Sequence, residues 1–258
     1  MIRLVGISQR FYGRRGAVDA LRDIDLDVAE GEFVAVVGRS GCGKSTLLRL
    51  AAGLLTPTTG EVYVDGERVT APRRDIAMVF QRPALLPWRS VLDNVLLPAE
   101  FYGWRRSSYR DRAMSLLETV GLAGFHRQLP HELSGGMQQR VALCRSLLLE
   151  PRALLMDEPF SALDVLTREE LSGELQRIHI KHSATILFVT HSINEAVLLA
   201  DRVVVLTPRP GQILKILDVH IPRPRTLGHN AHQQEVGLLS AELHELLLTD
   251  AGYSEVGA

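Results

Sequence analysis

The sequence predicts an α/β fold holding a helical insertion, and three observations carry that reading. Strand-like apolar runs occur at Phe33–Val37, Ala153–Asp157, Thr185–Thr190 and Arg202–Leu206, with the continuous hydrophobicity of buried parallel strands. Helical spacing fills the stretches between the later runs, so strand and helix alternate at both ends of the chain. Between them, residues from about 90 to 150 carry mostly helical patterning with few β-branched runs.

Taken in order, the run Phe33–Val37 is closed by Gly38. Helical spacing follows at once in Leu47, Leu48, Leu50 and Ala51, with an end expected near Gly53 and Pro57. Residues 61–64 and the Asp65-Gly66 dipeptide read as a small hairpin. Late in the chain, Pro208-Arg209-Pro210-Gly211 reads as a turn, and Pro222 and Pro224 interrupt the pattern. A last amphipathic helix is expected to carry Val236, Leu239, Leu243, Leu246 and Leu247.

Bulk properties narrow the function classes. The chain has 258 residues, 46% hydrophobic and 23% charged, which is ordinary for a soluble globular protein. A formal net charge of −1 argues against a large basic surface, so no nucleic-acid partner is expected. Cys42 and Cys144 are the only cysteines and lack metal-ligand spacing, which fits a reducing, cytoplasmic setting. The first residues lack the apolar stretch of a signal peptide, and no apolar run approaches the roughly 18 residues of a membrane span. Work at a membrane would be that of a peripheral subunit.

Chemistry enters with Gly38-Arg39-Ser40-Gly41-Cys42-Gly43-Lys44-Ser45-Thr46, which fits the pattern G-x-x-x-x-G-K-S/T between a predicted strand and a predicted helix. Glycines let such a loop turn its backbone N–H groups inward around an anion. Lys44 supplies a charge for the β- and γ-phosphates, the Ser45 hydroxyl can ligate Mg²⁺, and the helix adds its N-terminal dipole. The Cys42 side chain is expected to point away from the phosphates while remaining open to thiol-blocking reagents. The strand Ala153–Asp157 ends in two carboxylates: Asp157 can hold Mg²⁺ and Glu158 can polarise an attacking water. Ser134-Gly135-Gly136 opens a helix, with Ser134 either a plain N-cap or, with the paired glycines, a bare set of N–H groups for a phosphate.

The order GRSGCGKST, Gln81, LSGGMQQR, LLMDEP, SALD and His191 resembles the ATP-binding subunits of ABC (ATP-binding cassette) transporters over essentially residues 1–220. That resemblance implies a P-loop NTPase core with a small antiparallel β-subdomain and a helical subdomain at about 83–152. Beyond the stretch it covers, the chain's own pattern predicts a short helical tail at 221–258. ATP and Mg²⁺ would be the cofactors. Two copies would pair head to tail, so that Ser134, Gly135 and Gly136 meet the γ-phosphate held by the other copy. Glu158 would be the general base and Asp157 the magnesium partner. Asp164 would lie at the dimer seam, and His191 would contact the γ-phosphate. Gln81 would sense magnesium and link the core to the helical block. Phe11 would stack on adenine, with adjacent Tyr12 the other possibility. Met137 departs from the family, which most often has Gln there.

The stretch 81–95, with Leu85, Leu86 and Trp88, could pack on the helical block or dock a membrane subunit's short cytoplasmic helix. It is similar to the nitrate, sulfonate and taurine importer ATPases, as are residues 203–211 and 221–225. This implies a peripheral subunit at the cytoplasmic face of the inner membrane, coupled to an integral permease and indirectly to an extracytoplasmic solute-binding protein. A soluble ABC ATPase of translation or DNA repair is the alternative, disfavoured by a single cassette, no heptad run and near-neutral charge. A non-hydrolysing sensor is disfavoured by the presence of Glu158, His191 and Ser134.

Overall fold

The computed structural model describes residues 1–13, 16–161, 163–225 and 232–249. Ala162 of the SALD stretch and residues 226–231 and 250–258 of the expected tail therefore lie outside the described residues. The chain starts with β1 (Ile2–Gly13) and β2 (Gly16–Val28), then β3 (Phe33–Val37), α1 (Lys44–Ala51), β4 (Thr59–Val64) and β5 (Glu67–Arg68). An antiparallel sheet runs in the order β2-β1-β4-β5. The expected hairpin at 61–64 is the β4–β5 pair, with Asp65 and Gly66 both at positive φ, the twist-matched geometry of a tight two-residue turn. The long β1–β2 hairpin has no simple period-2 signature. Register shifts between Leu4 and Ile7, Ile7 and Gln9, and Gln9 and Arg10 break the alternation.

The second sheet adds β6 (Ile76–Val79), β7 (Ala153–Asp157), β8 (Thr185–Thr190), β9 (Arg202–Leu206) and β10 (Ile213–Asp218). Its order is β10-β9-β3-β8-β7-β6, parallel except for β10 against β9. Both faces are covered, which explains the unbroken apolar runs. Val34 and Val36 of β3 and Leu187 and Val189 of β8 face one apolar layer with α1 and the antiparallel sheet. Phe33, Ala35, Ile186 and Phe188 face the other. That second layer receives α6 (Val165–His182) and α7 (Ile193–Leu199), and α8 (Gln233–Thr249) packs against α7 and β9. Burying a residue of the Phe33 or Phe188 class contributes about 1.5–3 kcal/mol.

Between β6 and β7 lie α2 (Val91–Val95), α3 (Leu97–Phe101), α4 (Arg106–Thr119) and α5 (Gly135–Leu147), packed around their own apolar cluster from Val91 to Leu148. The Pro222 to Arg225 segment is fastened by side chains: Arg225 is buried and donates to the carbonyls of Ile221, Val197 and Ala200. Arg223 donates to Leu199 O and pairs with Asp201. On α8, Leu243 is fully buried, with Val236, Leu239, Leu246 and Leu247 around it. These are the positions that the helical spacing selects.

Candidate active site

The parallel strands deliver the chemical groups at one edge, because residues following β3, β7, β8 and β9 all leave the sheet at its C-terminal side. After β3, Gly43 caps α1 at φ 108°, a conformation that disfavours any L side chain. Lys44 is buried, and its ammonium donates to Gly38 O at 2.8 Å and Arg39 O at 3.2 Å. The loop is thereby closed on its own lysine. A cavity of about 410 Å³ opens above it. Ser40, Gly41, Gly43, Lys44, Ser45 and Thr46 form its floor, while Gly38, Arg39 and Cys42 are not part of the lining. Phe11, Gln81 and Glu158 close the sides. Phe11 lines this cavity at 41% exposure, whereas Tyr12, at 79%, does not.

Cys42 requires a correction. Its side chain is fully buried, with Sγ packed so tightly on Gly38 that a Cβ there would come within 2.7 Å of it. Burial pushes the thiol pKa up, so a blocking reagent meets neither access nor thiolate.

At the end of β7, the Ser45 hydroxyl donates to Asp157 Oδ1 at 2.8 Å. Asp157 is buried, and desolvation, with the neighbouring Glu158 charge, pushes its carboxyl pKa up against the Ser45 hydrogen bond and the charges of Arg49 and Lys44. A divalent cation would relieve this under-compensated anion. The hydroxyl, carboxylate and amide oxygens of Ser45, Asp157 and Gln81 are the hard donors that Mg²⁺ takes, so the residues fit that ion.

Glu158 adopts a left-handed conformation at φ 43°, fixed by its N–H donating to Val189 O at 2.9 Å and by buried Phe160 two residues on. Such a backbone in a non-glycine residue costs about 1–3 kcal/mol and gathers at functional sites. Its Oε1 lies 3.8 Å from Lys44 Nζ, and its Oε2 lies 3.0 Å from His191 Nδ1. With Glu158 ionised, Nδ1–H is the donor. Gln81 reaches this edge from β6 and donates to Ser161 Oγ at 3.2 Å.

His191 is set by residues that sequence reasoning did not single out. Thr190 Oγ1 donates to Glu195 Oε2 at 2.5 Å and accepts from Ser192 N at 3.0 Å. Glu195 is buried, its pKa pushed up by desolvation, and Arg168 of α6 lies 3.5 Å away. A glutamate in a helical pattern carries no mark in sequence that it faces inward. Arg209 of the 208–211 turn also lines the cavity, though it read only as a turn residue.

Ser134, Gly135, Gly136 and Asp164 lie outside this cavity's lining. Ser134 caps α5, its Oγ accepting from Met137 N at 3.3 Å. Asp164 caps α6, accepting from Thr167 N at 3.0 Å and Thr167 Oγ1 at 2.7 Å. The two helix starts touch: a Cβ on Gly136 would fall 2.5 Å from Thr167 Cγ2. In the 81–90 stretch, buried Asn94 accepts from Leu86 N at 2.7 Å and donates to Leu86 O, Arg89 O and Ser90 O. Leu85 packs on the helical cluster, Leu86 is half-buried, and Trp88 projects at 73% exposure.

Comparison with known proteins places this geometry. Residues 21–161 match the ABC transporter family model. The nitrate import ATP-binding protein NrtD of Synechocystis sp. is 48% identical over 221 residues, covering 86% of this chain and 83% of that protein. The taurine import ATP-binding protein TauB of Jannaschia sp. is 46% identical over 210 residues, covering 81% and 78%. Among solved structures, the dimeric post-hydrolysis state of the ATP-binding cassette MJ0796, bound to ADP and Pi, aligns with a TM-score of 0.77 at 33% identity, over 86% of this chain and 100% of that one. By its sequence, its P-loop fold and these relatives, the chain belongs to the ABC transporter ATP-binding family and is an ATPase.

Proposed function

We propose that this chain is the peripheral ATP-hydrolysing subunit of an importer for a small anionic solute, of the class spanning nitrate, taurine and aliphatic sulfonates. The observation that carries the ATPase chemistry is the convergence of Lys44, the Ser45–Asp157 pair and the Glu158–His191 pair at neighbouring strand ends. The importer class rests on import ATPases as relatives over most of the chain.

The phosphate loop binds the triphosphate through backbone N–H groups, and Lys44 exchanges its carbonyl partners for phosphate oxygens. Bound between Ser45, Asp157 and Gln81, Mg²⁺ would neutralise charge on the phosphates. Glu158 orients water and accepts its proton, and His191 holds that carboxylate in place. Phe11 offers its ring to the adenine. Ser134, Gly135 and Gly136 stand outside their own chain's cavity, at a capped helix start fit to hold an anion. They would complete the cavity of a second copy, with Asp164 beside the seam. ATP binding would close this homodimer, hydrolysis would reopen it, and the 81–90 stretch would pass the motion to an integral permease through Leu86 and Trp88.

Among the described residues no helix is long and apolar enough to cross a membrane, which fits a subunit held at the cytoplasmic face by its permease. Reconstitution with its permease and solute-binding protein in vesicles tests the reading. ATP hydrolysis should rise when nitrate, taurine or an alkanesulfonate is supplied on the binding-protein side. Stimulation by none of these, with transport of an unrelated solute, would overturn the solute class.

A further inference from the structure

The loop between β9 and β10 presses on the phosphate loop, although more than 160 residues separate them in the chain. Gly211 sits where a Cβ would fall 2.1 Å from Cys42 O, so only glycine allows this approach. The turn is pinned from three sides. Gly211 N donates to Ala20 O at 3.0 Å, and Arg22 N donates to Gly211 O at 3.0 Å. Thr207 Oγ1 donates to Pro210 O at 3.1 Å and accepts from Gln212 N at 2.9 Å. Arg209 Nε, at the tip, donates to Gly41 O at 3.2 Å.

This fastening fixes one side chain with unspent binding capacity. Arg209 has no carboxylate partner among the described residues, and its guanidinium carries further N–H donors beyond the one given to Gly41. It borders the same cavity as Phe11 and Ser40. Lys44, the other cation of the lining among the described residues, is buried and already holds two carbonyls, whereas Arg209 is exposed. An unpaired, positioned guanidinium at the rim of a polyanion site is suited to charge-assisted contact with phosphate oxygens.

We infer that Arg209 is a second nucleotide-binding cation, holding the polyphosphate of ATP from the β9–β10 loop across the phosphate loop from Lys44. The inference rests on the nucleotide reading of this cavity. It makes the Thr207 to Gly211 turn part of the binding site and gives Gly211 the task of seating Arg209.

The test is direct ATP binding in Mg²⁺ by the full chain and its Arg209→Lys, Arg209→Gln and Arg209→Ala variants, by calorimetry at low and high salt. Gln keeps a donor for Gly41 O but discards the charge. Arg209→Gln and Arg209→Ala should raise Kd about five- to tenfold at low salt, with Arg209→Lys within about twofold of the parent. The gap should narrow as salt screens an exposed charge. Circular dichroism identifies any variant that fails to fold, and the remaining substitutions then decide. Parent-like ATP affinity in Arg209→Gln overturns the inference alone, leaving the Gly41 contact as structural. Failure of the parent chain to bind ATP overturns the nucleotide reading, and this inference with it.

Discussion

Glu158 Oε2 and His191 Nδ1 lie 3.0 Å apart, one at the end of β7 and the other just past β8. The neighbouring strands are in register, with Asp157 opposite Val189, so this pairing follows from the sheet. The His191 contact holds the carboxylate beside Lys44, while the N–H of Glu158, donating to Val189 O, holds its left-handed backbone.

Replacing Glu158 with Gln preserves shape and removes the proton acceptor. Hydrolysis should fall about 10²–10⁴-fold, the usual worth of a positioned base, while ATP affinity stays within a few-fold. His191→Ala frees the carboxylate and should cost less, with Kd again little changed. Steady-state turnover alongside equilibrium binding separates the two effects, and unchanged turnover in Glu158→Gln would remove the assigned base.

Asp157 supports a stability prediction with a definite sign. Its folded pKa is raised, so the native state binds a proton more tightly than the unfolded chain. Its contribution therefore declines as pH rises from the ordinary carboxylate value through the raised one, and ionisation at neutral pH costs stability. Asp157→Asn keeps an acceptor for Ser45 Oγ and drops the charge. Without nucleotide its Tm should rise by about 2–4 °C, the scale of ~1 kcal/mol in a chain of this size. The stabilisation given by MgATP should be lost. A lower nucleotide-free Tm would contradict the burial argument.

Cys42 and Cys144 are both fully buried, with thiol pKa values pushed up by desolvation. Alkylation at neutral pH should run at least about 100-fold slower in the native protein than in denaturant, because it must wait for opening. Mass spectrometry after timed quenching measures it. Rapid native labelling of Cys42 would mean that the phosphate loop opens readily.

Trp88 stands out at 73% exposure on a stretch that Asn94 clamps to α2. Trp88→Ala with Leu86→Ala should leave ATP affinity intact while co-purification of the permease drops at least about tenfold, as for loss of aromatic and aliphatic anchors. Undiminished co-purification would move the docking surface elsewhere.

Much of this was legible in the sequence because two-sided burial leaves unbroken apolar strands. Phe33–Val37, Ala153–Asp157, Thr185–Thr190 and Arg202–Leu206 end where the runs end. The phosphate loop is a contiguous motif and shows itself whole. Harder to read were β1 and β2, whose register shifts scramble the alternation, and four-residue β6, which is too short for a period. Glu195, Thr190 and Arg209 were hidden for another reason. Their positions depend on contacts across 5 to 168 residues that no local pattern encodes. Cys42 shows the converse, since the motif marks the position without showing how completely its neighbours seal it.

A second copy that completes the cavity above the phosphate loop should be trapped as a dimer once ATP is bound and hydrolysis is blocked. Glu158→Gln with ATP and Mg²⁺ should elute as a dimer by size-exclusion light scattering, with one nucleotide per chain. Adding Ser134→Arg should leave ATP bound and the protein monomeric. ATP-loaded Glu158→Gln that stays monomeric, or a dimer indifferent to Ser134→Arg, would mean that Ser134 of a second copy does not complete the site.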